Sequence, residues 1–200
     1  GIRDQPRSRG LGDVYKRQEQ QNTELQGVIL PGDLLHVDFG ITYLRLNTDT
    51  PQHAYVLKHG ETEAPAGLRA GLASSNRLQD ILTENFVLGR TGNEILRSAR
   101  AQGIEEDIRP SIYTHPIGYH GHGAGPTIGM WDNQGETVGR GDYPLYENTA
   151  HSIELNSTVS IPEWGGQDVR FKLEEDAFFD GKKTYYIDGR QEELILIRSD

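Results

Sequence analysis

Cysteine is absent from these 200 residues. That removes thiol nucleophiles, disulfides and thiolate metal sites together, so any metal site must be built from Asp, Glu and His. Long apolar runs are also missing; none approaches the ~18 residues of a membrane span. Positive charge is scarce, with 20 Lys and Arg against 30 Asp and Glu for a net charge of −10. Nucleic acid, whose phosphates call for basic patches, is therefore a poor partner. No secretory signal is visible, and the composition fits cytoplasm and periplasm equally. What remains is enough chain for one domain with a sizeable core.

The first eighteen residues, "GIRDQPRSRGLGDVYKRQ", differ from the rest. They are rich in Arg and Gly and almost lack a hydrophobic period, so residues 1–18 are expected to be a non-native leader or a disordered tail. The globular part is expected over 19–200, opening abruptly near Glu19 as if a longer chain had been cut.

"LPGDLLHVDFG" (30–40) has a Pro-Gly-Asp turn followed by an apolar run, the pattern of a buried strand. "ITYLRLN" (41–47) and "HAYVLKH" (53–59) follow at hairpin distances and predict a three-strand meander. From Glu63 to Val87 the apolar positions Leu68, Leu72, Leu78, Ile81, Leu82 and Phe86 recur at helical spacing. Thr91 and Glu94 form a capping box that opens a second helix. "HSIELNSTVSI", "QDVRFKLEEDAFF", "YYIDG" and "EELILIR" then predict strands separated by turns. Strands, two helices and strands again predict an α+β domain with a mainly antiparallel sheet and helices on one side.

Several carboxylates stand where apolar residues belong. Asp38 lies within "LLHVDFG", and an isolated charge there needs a partner, whether Lys, Arg, a set of backbone N–H groups or a metal ion. Asp49 follows eleven positions later, close enough in an antiparallel pair to meet it, and two such acids repel unless a proton or cation separates them. Glu154 sits in a short strand between Ile153 and Leu155. In "QDVRFKLEEDAFF" (167–179) side chains alternate between faces. Val169, Phe171, Leu173, Ala177 and Phe179 share one parity with Glu175, whereas Glu174 shares the other with Arg170 and Lys172. Parity thus selects Glu175 as the unexplained buried acid, a choice that a β-bulge would reverse. "THPIGYHGHGAG" (114–125) adds three histidines in a glycine-rich loop. Oxygen donors and imidazole together suit two divalent ions such as Mn²⁺, Co²⁺, Zn²⁺ or Fe²⁺, roughly 3–4 Å apart, and hydrolysis chemistry.

These residues resemble the pita-bread metallopeptidases: methionine aminopeptidase, Xaa-Pro aminopeptidase and prolidase. That family orders its ligands Asp, Asp, His, Glu, Glu, with the aspartates about eleven apart, as Asp38 in "HVDFG" and Asp49 in "LNTDT" are. His115 in "HPIGYHGH" falls on the ligand histidine, and His122, seven residues on, falls on its substrate-facing partner. Glu154 falls on the first glutamate and Glu175 on the last. The resemblance covers about residues 24–198 and implies a pita-bread α+β fold with two divalent ions, Mn²⁺ foremost, held by Asp38, Asp49, His115, Glu154 and Glu175. It further implies Glu154 as a proton shuttle, His122 and Tyr119 at the substrate oxyanion, a peptide substrate of Xaa-Pro type, and a possible homodimer. There are departures. "DTPQHAY" follows the second aspartate, Pro116 follows His115, Leu155 follows Glu154, and the family's upstream pocket histidine is missing from "QNTELQ". Non-catalytic binding modules and metal-free creatinase-like hydrolases share the fold, so these remain the alternative.

Overall fold

The computed structural model describes residues 11–15, as backbone, and 28–198. The leader expected over 1–18 lies outside the described residues apart from Leu11–Tyr15. That stretch is strand β1, paired antiparallel with β2 (Leu34–Phe39).

A Pro-Gly turn launches β2. Gly32 takes φ +94°, a region that favours glycine, and Asp33 N–H closes the turn on Leu30 O at 3.1 Å. Asp33 Oδ2 also accepts the Leu30 N–H at 2.9 Å. β2 pairs directly with β5 (Thr50–Val56), placing Asp38 opposite Pro51 and His36 opposite His53. The predicted meander is therefore not a three-strand sheet. Its middle segment folds back on itself as a small separate hairpin, β3 (Thr42–Tyr43) and β4 (Leu46–Asn47). Its apex residues Leu44 and Arg45 sit at φ +48° and +70°. Asn47 fastens this hairpin to the histidine loop, donating from its backbone and side-chain nitrogens to Gly118 O at 2.8 and 2.9 Å.

The helical period yields α1 (Ala66–Glu84), a little shorter than predicted because Pro65 precedes its first turn. The second helix, α2 (Gly92–Glu105), carries the predicted capping box: Glu94 N–H reaches Thr91 Oγ1 at 3.2 Å and Thr91 N–H reaches Glu94 Oε2 at 2.8 Å. Thr91→Ala is expected to cost about 1 kcal/mol of stability, measured by denaturant unfolding.

After β6 (Pro110–Ile112) and β7 (His115–Pro116), the chain forms β8 (Thr149–Ser152), β9 (Leu155–Ile161), β10 (Gln167–Leu173), β11 (Asp176–Phe179), β12 (Thr184–Tyr186) and β13 (Ile195–Ile197). β9 lies between β6 and β10 in one antiparallel sheet, and β12, β11, β8 and β7 make a second. β13 joins β5 in parallel, at the edge of the sheet that contains β2.

α1 covers one face of β9 and β10. Val169, Phe171 and Leu173 are buried against it, and Ser75 Oγ bonds both Phe171 O at 2.6 Å and Ser157 Oγ at 2.7 Å. Gln191 ties the sheets together, exchanging two 2.7 Å hydrogen bonds with the His53 backbone while its own N–H donates to Glu175 Oε1 at 2.9 Å. The apolar side of β10 thus faces the helices, leaving the opposite face for a site.

Candidate metal centre

The site lies where the two sheets interrupt each other. The register Leu173↔Leu155 resumes on the far side as Asp176↔Ser152, so Glu174 and Glu154 stand opposite each other in the break between the ladders. Tyr113 N–H and Thr114 Oγ1 hold the Glu154 carbonyl at 3.1 and 2.9 Å, which fixes the backbone of that residue.

Potential ligand atoms of Asp49, His115 and Glu174 lie within 4.8 Å of one another. His115 is buried, with Nε2 at 3.8 Å from Glu154 Oε2 and 4.0 Å from Glu174 Oε1. Its Nδ1 lies 3.0 Å from Pro116 O. A carbonyl can only accept, so Nδ1 carries the proton and the Nε2 lone pair faces the acids, the tautomer a metal requires. Burial, followed by the charges of Glu154, Asp49 and Asp38, pushes the Glu174 carboxyl well above its usual range, against the lowering effect of the Ser152 hydroxyl bonded to it at 2.7 Å. Acids crowded into a poorly solvated place need a proton or a cation between them. The donor set is therefore one that a hard or borderline divalent ion fits.

Of the residues predicted from sequence, Asp49, His115 and Glu154 meet at this point, and Asp38 lines the adjoining cleft with His36 and Glu154. His122 is exposed, and its ring centroid lies 4.3 Å from that of His115. Glu175 is not brought into the group. It is buried on the helix side, bonded to Gln191 N–H, and burial pushes its carboxyl up to about 7. This placement has a simple cause. Parity placed Glu175 with the apolar residues correctly, but that face belongs to the core, whereas the site occupies the polar face where Glu174 follows Arg170 and Lys172. Tyr119 also stands apart; its ring packs edge-on against His120, and the cleft is lined by Tyr113 instead. Tyr113 places its ring 5.3 Å from His115 and stacks on His122 at 6.3 Å.

Three further histidines, His36, His53 and His151, are buried. His36 lines the cleft, and His53 Nε2 meets Lys172 O at 2.7 Å. His151 packs on Phe86, where burial first, and the nearby His115 second, lower its pKa to about 4.

Sequence reasoning also missed Asp176 and Trp131. Asp176 Oδ2 accepts the Asp49 N–H at 3.4 Å, helping to orient the loop that carries Asp49. Trp131 lines the cleft yet is 74% exposed. It tops a tight turn closed by reciprocal hydrogen bonds between Met130 and Asn133. Gln134 pins that turn to β6 by exchanging two 2.8 Å bonds with the Ile112 backbone.

No protein-family model matches the chain, and no curated protein sequence does so either. Solved structures do. An X-Pro aminopeptidase from Thermotoga maritima superposes with a TM-score of 0.62 at 20% identity, covering 84% of this chain and 43% of its own. A methionine aminopeptidase from Rickettsia prowazekii gives 0.58 at 13% identity, with 79% and 65% covered. The N-terminal domain of the FACT complex subunit SPT16 from chickpea, Cicer arietinum, gives 0.61 at 11% identity, with 84% and 38% covered. The chain therefore has the pita-bread fold, and it spans less than two thirds of the length of each of these structures. One fold here serves both peptidases and a subunit of another complex, so function must be argued from the site.

Proposed function

We propose that this chain carries the catalytic site of a metal-dependent peptidase that hydrolyses the N-terminal bond of peptides, of Xaa-Pro type. Two divalent ions, Mn²⁺ foremost, would be held by Asp38, Asp49, His115, Glu154 and Glu174. The observation that carries this reading is the convergence of Asp49, His115 and Glu174 ligand atoms within 4.8 Å beside a cleft of about 680 Å³.

Ions bound there supply Lewis acidity for an attacking water and a scissile carbonyl. Glu154, with its side chain one-third exposed toward the cleft, takes the water's proton and passes it to the leaving amine. His122 stands beside His115 and can donate an N–H to the oxyanion that forms as the carbonyl is attacked. Tyr113, which lines the cleft, stacks on His122 and steadies that ring. Trp131 on its pinned turn gives a peptide an apolar wall.

Because burial and the neighbouring acids favour the protonated form of Glu174, a metal ion competes with that proton, and affinity is expected to rise with pH through and above the ordinary carboxylate range. Titration calorimetry with Mn²⁺ at several pH values, in buffers of different ionisation enthalpy, checks this by counting the protons released. To test the function itself, the chain would be stripped, reloaded with Mn²⁺, Co²⁺ or Zn²⁺, and assayed on Xaa-Pro and Met-Xaa peptides. Metal-dependent release of the first residue is expected. Tight metal binding without cleavage of any peptide would favour the binding-module alternative.

A further inference from the structure

The floor of the cleft has an ordered charge pattern that the hydrolytic chemistry does not require. β10 and β9 pair in register, so residues on the cleft face come in rungs: Glu174 with Glu154, then Lys172 opposite Asn156 with Ser111 beyond, then Arg170 opposite Thr158. Arg109 borders the last rung, its Nε donating to Thr158 O at 2.9 Å. Successive rungs on one face are about 6.7 Å apart, so Arg170 stands about 13 Å along the floor from Glu174.

The cleft is therefore acidic at the metal end and basic at the other. Arg100, Arg109, Arg170 and Lys172 all line it. Of these, Arg109 is already matched, forming a two-pronged pair with Asp168 at 2.7 Å for each bond. Arg170 is exposed, with no carboxylate partner among the described residues. Arg100 Nη1 donates to Gln134 O at 2.8 Å, whereas its buried Nε makes no hydrogen bond. A buried guanidinium N–H without an acceptor is costly unless a ligand supplies one. In a chain with a net charge of −10, this concentration of cations beside the site is a local reversal of sign.

Resting on the peptidase reading above, we propose that the basic end of the cleft binds a substrate carboxylate downstream of the cleaved bond, with Arg170 as its principal contact. An extended peptide advances about as fast per residue as the strand beneath it. With the reach of an arginine side chain, a carboxylate two to three residues beyond the cleaved bond meets Arg170. That carboxylate is the free C-terminus of a short peptide or an acidic side chain in a longer one. Arg170 presents a planar fork to it, the geometry that suits carboxylates. The preferred substrates are thus short or acidic peptides.

The test compares metal-loaded full chain on Ala-Pro-Ala-Ala as free acid and as C-terminal amide, and on amidated Ala-Pro-Ala-Glu and Ala-Pro-Ala-Gln. The free acid over its amide reports a terminal carboxylate; the Glu amide over the Gln amide reports a side chain. At least one of these pairs is expected to favour the anion by about tenfold in kcat/KM, as charge-assisted hydrogen bonds are worth. Arg170→Gln should erase the preference, bringing each anionic peptide down to the kcat/KM of its neutral counterpart, and Arg170→Lys should keep part of it. Equal kcat/KM within both pairs would overturn the proposal and leave the peptidase reading intact. If no peptide is cleaved, the peptidase reading fails. The same four peptides titrated calorimetrically into wild type and Arg170→Gln then decide the carboxylate site: anion-selective binding that depends on Arg170 supports it, and absence of selectivity overturns it.

Discussion

Replacing Glu174 by alanine is expected to abolish tight divalent-metal binding, a loss of about a hundredfold or more in affinity, whereas Glu175→Ala leaves that affinity within a few-fold of wild type. The two residues are neighbours in sequence with opposite surroundings. Glu174 is 5% exposed, and its carboxyl meets Ser152, lies near His115 and feels Glu154, Asp49 and Asp38. Glu175 is equally buried but bonds Gln191 N–H on the side that carries the helices. On the proposed reading, removing Glu174 takes away a ligand and part of the negative charge that would attract a cation. Removing Glu175 strands the Gln191 N–H and loosens the link between β5 and the chain that joins β10 to β11, so its cost appears in unfolding rather than in metal titration. Calorimetric titration of Mn²⁺ into both variants, paired with denaturant unfolding of each, separates the two effects. Equal loss of metal affinity in both variants would contradict the assignment.

The second large effect concerns what holds the floor of the site in place. Gly71 of α1 faces the fully buried ring of Phe171 so closely that an added Cβ would lie 2.0 Å from Phe171 Cε2. The ring cannot retreat, because Ser75 anchors the Phe171 carbonyl and β10 is paired along its length with β9. Gly71→Ala is therefore expected to destabilise the fold by about 3 kcal/mol, at the upper end for overpacking. Phe171→Ala leaves a cavity instead and should cost about 3–5 kcal/mol. With the ring removed, alanine is the better helix former by about 1 kcal/mol, so in the Phe171→Ala background the Gly71→Ala change should stabilise. That reversal of sign in a double-mutant cycle isolates the contact. A Gly71→Ala cost that is the same in both backgrounds would place the strain elsewhere.

Much of this arrangement is legible in the sequence, and the reasons differ by element. The helices declare themselves through the spacing of Leu68, Leu72, Ile81 and Leu82 and through the Thr91–Glu94 box, all local features. The middle of the predicted meander does not, because alternation alone cannot say whether "ITYLRLN" joins a neighbour or folds onto itself. Asp38, His115 and Glu154 are conspicuous as polar residues in apolar or glycine-rich settings, and Asp49 by its spacing from Asp38. Glu174 is hidden by the opposite circumstance: its neighbours on the same face are Arg170 and Lys172, so it looks like a solvated residue. It is buried because chain from elsewhere, carrying Asp49 and His115, closes over that face. Trp131 and Tyr113 are equally invisible, since their place in the cleft depends on how Gln134 and β6 pin the turn. Strand parity identifies faces reliably; which face holds the chemistry is a tertiary fact.

Anomalous diffraction from crystals of the full chain grown with Mn²⁺ addresses the central claim most directly. The account predicts peaks within bonding distance of Asp49, His115 and Glu174, with Asp38 and Glu154 completing the shell and Glu175 taking no part. Peaks that involve Glu175 instead, or no peak at this cluster in crystals saturated with Mn²⁺, would contradict it.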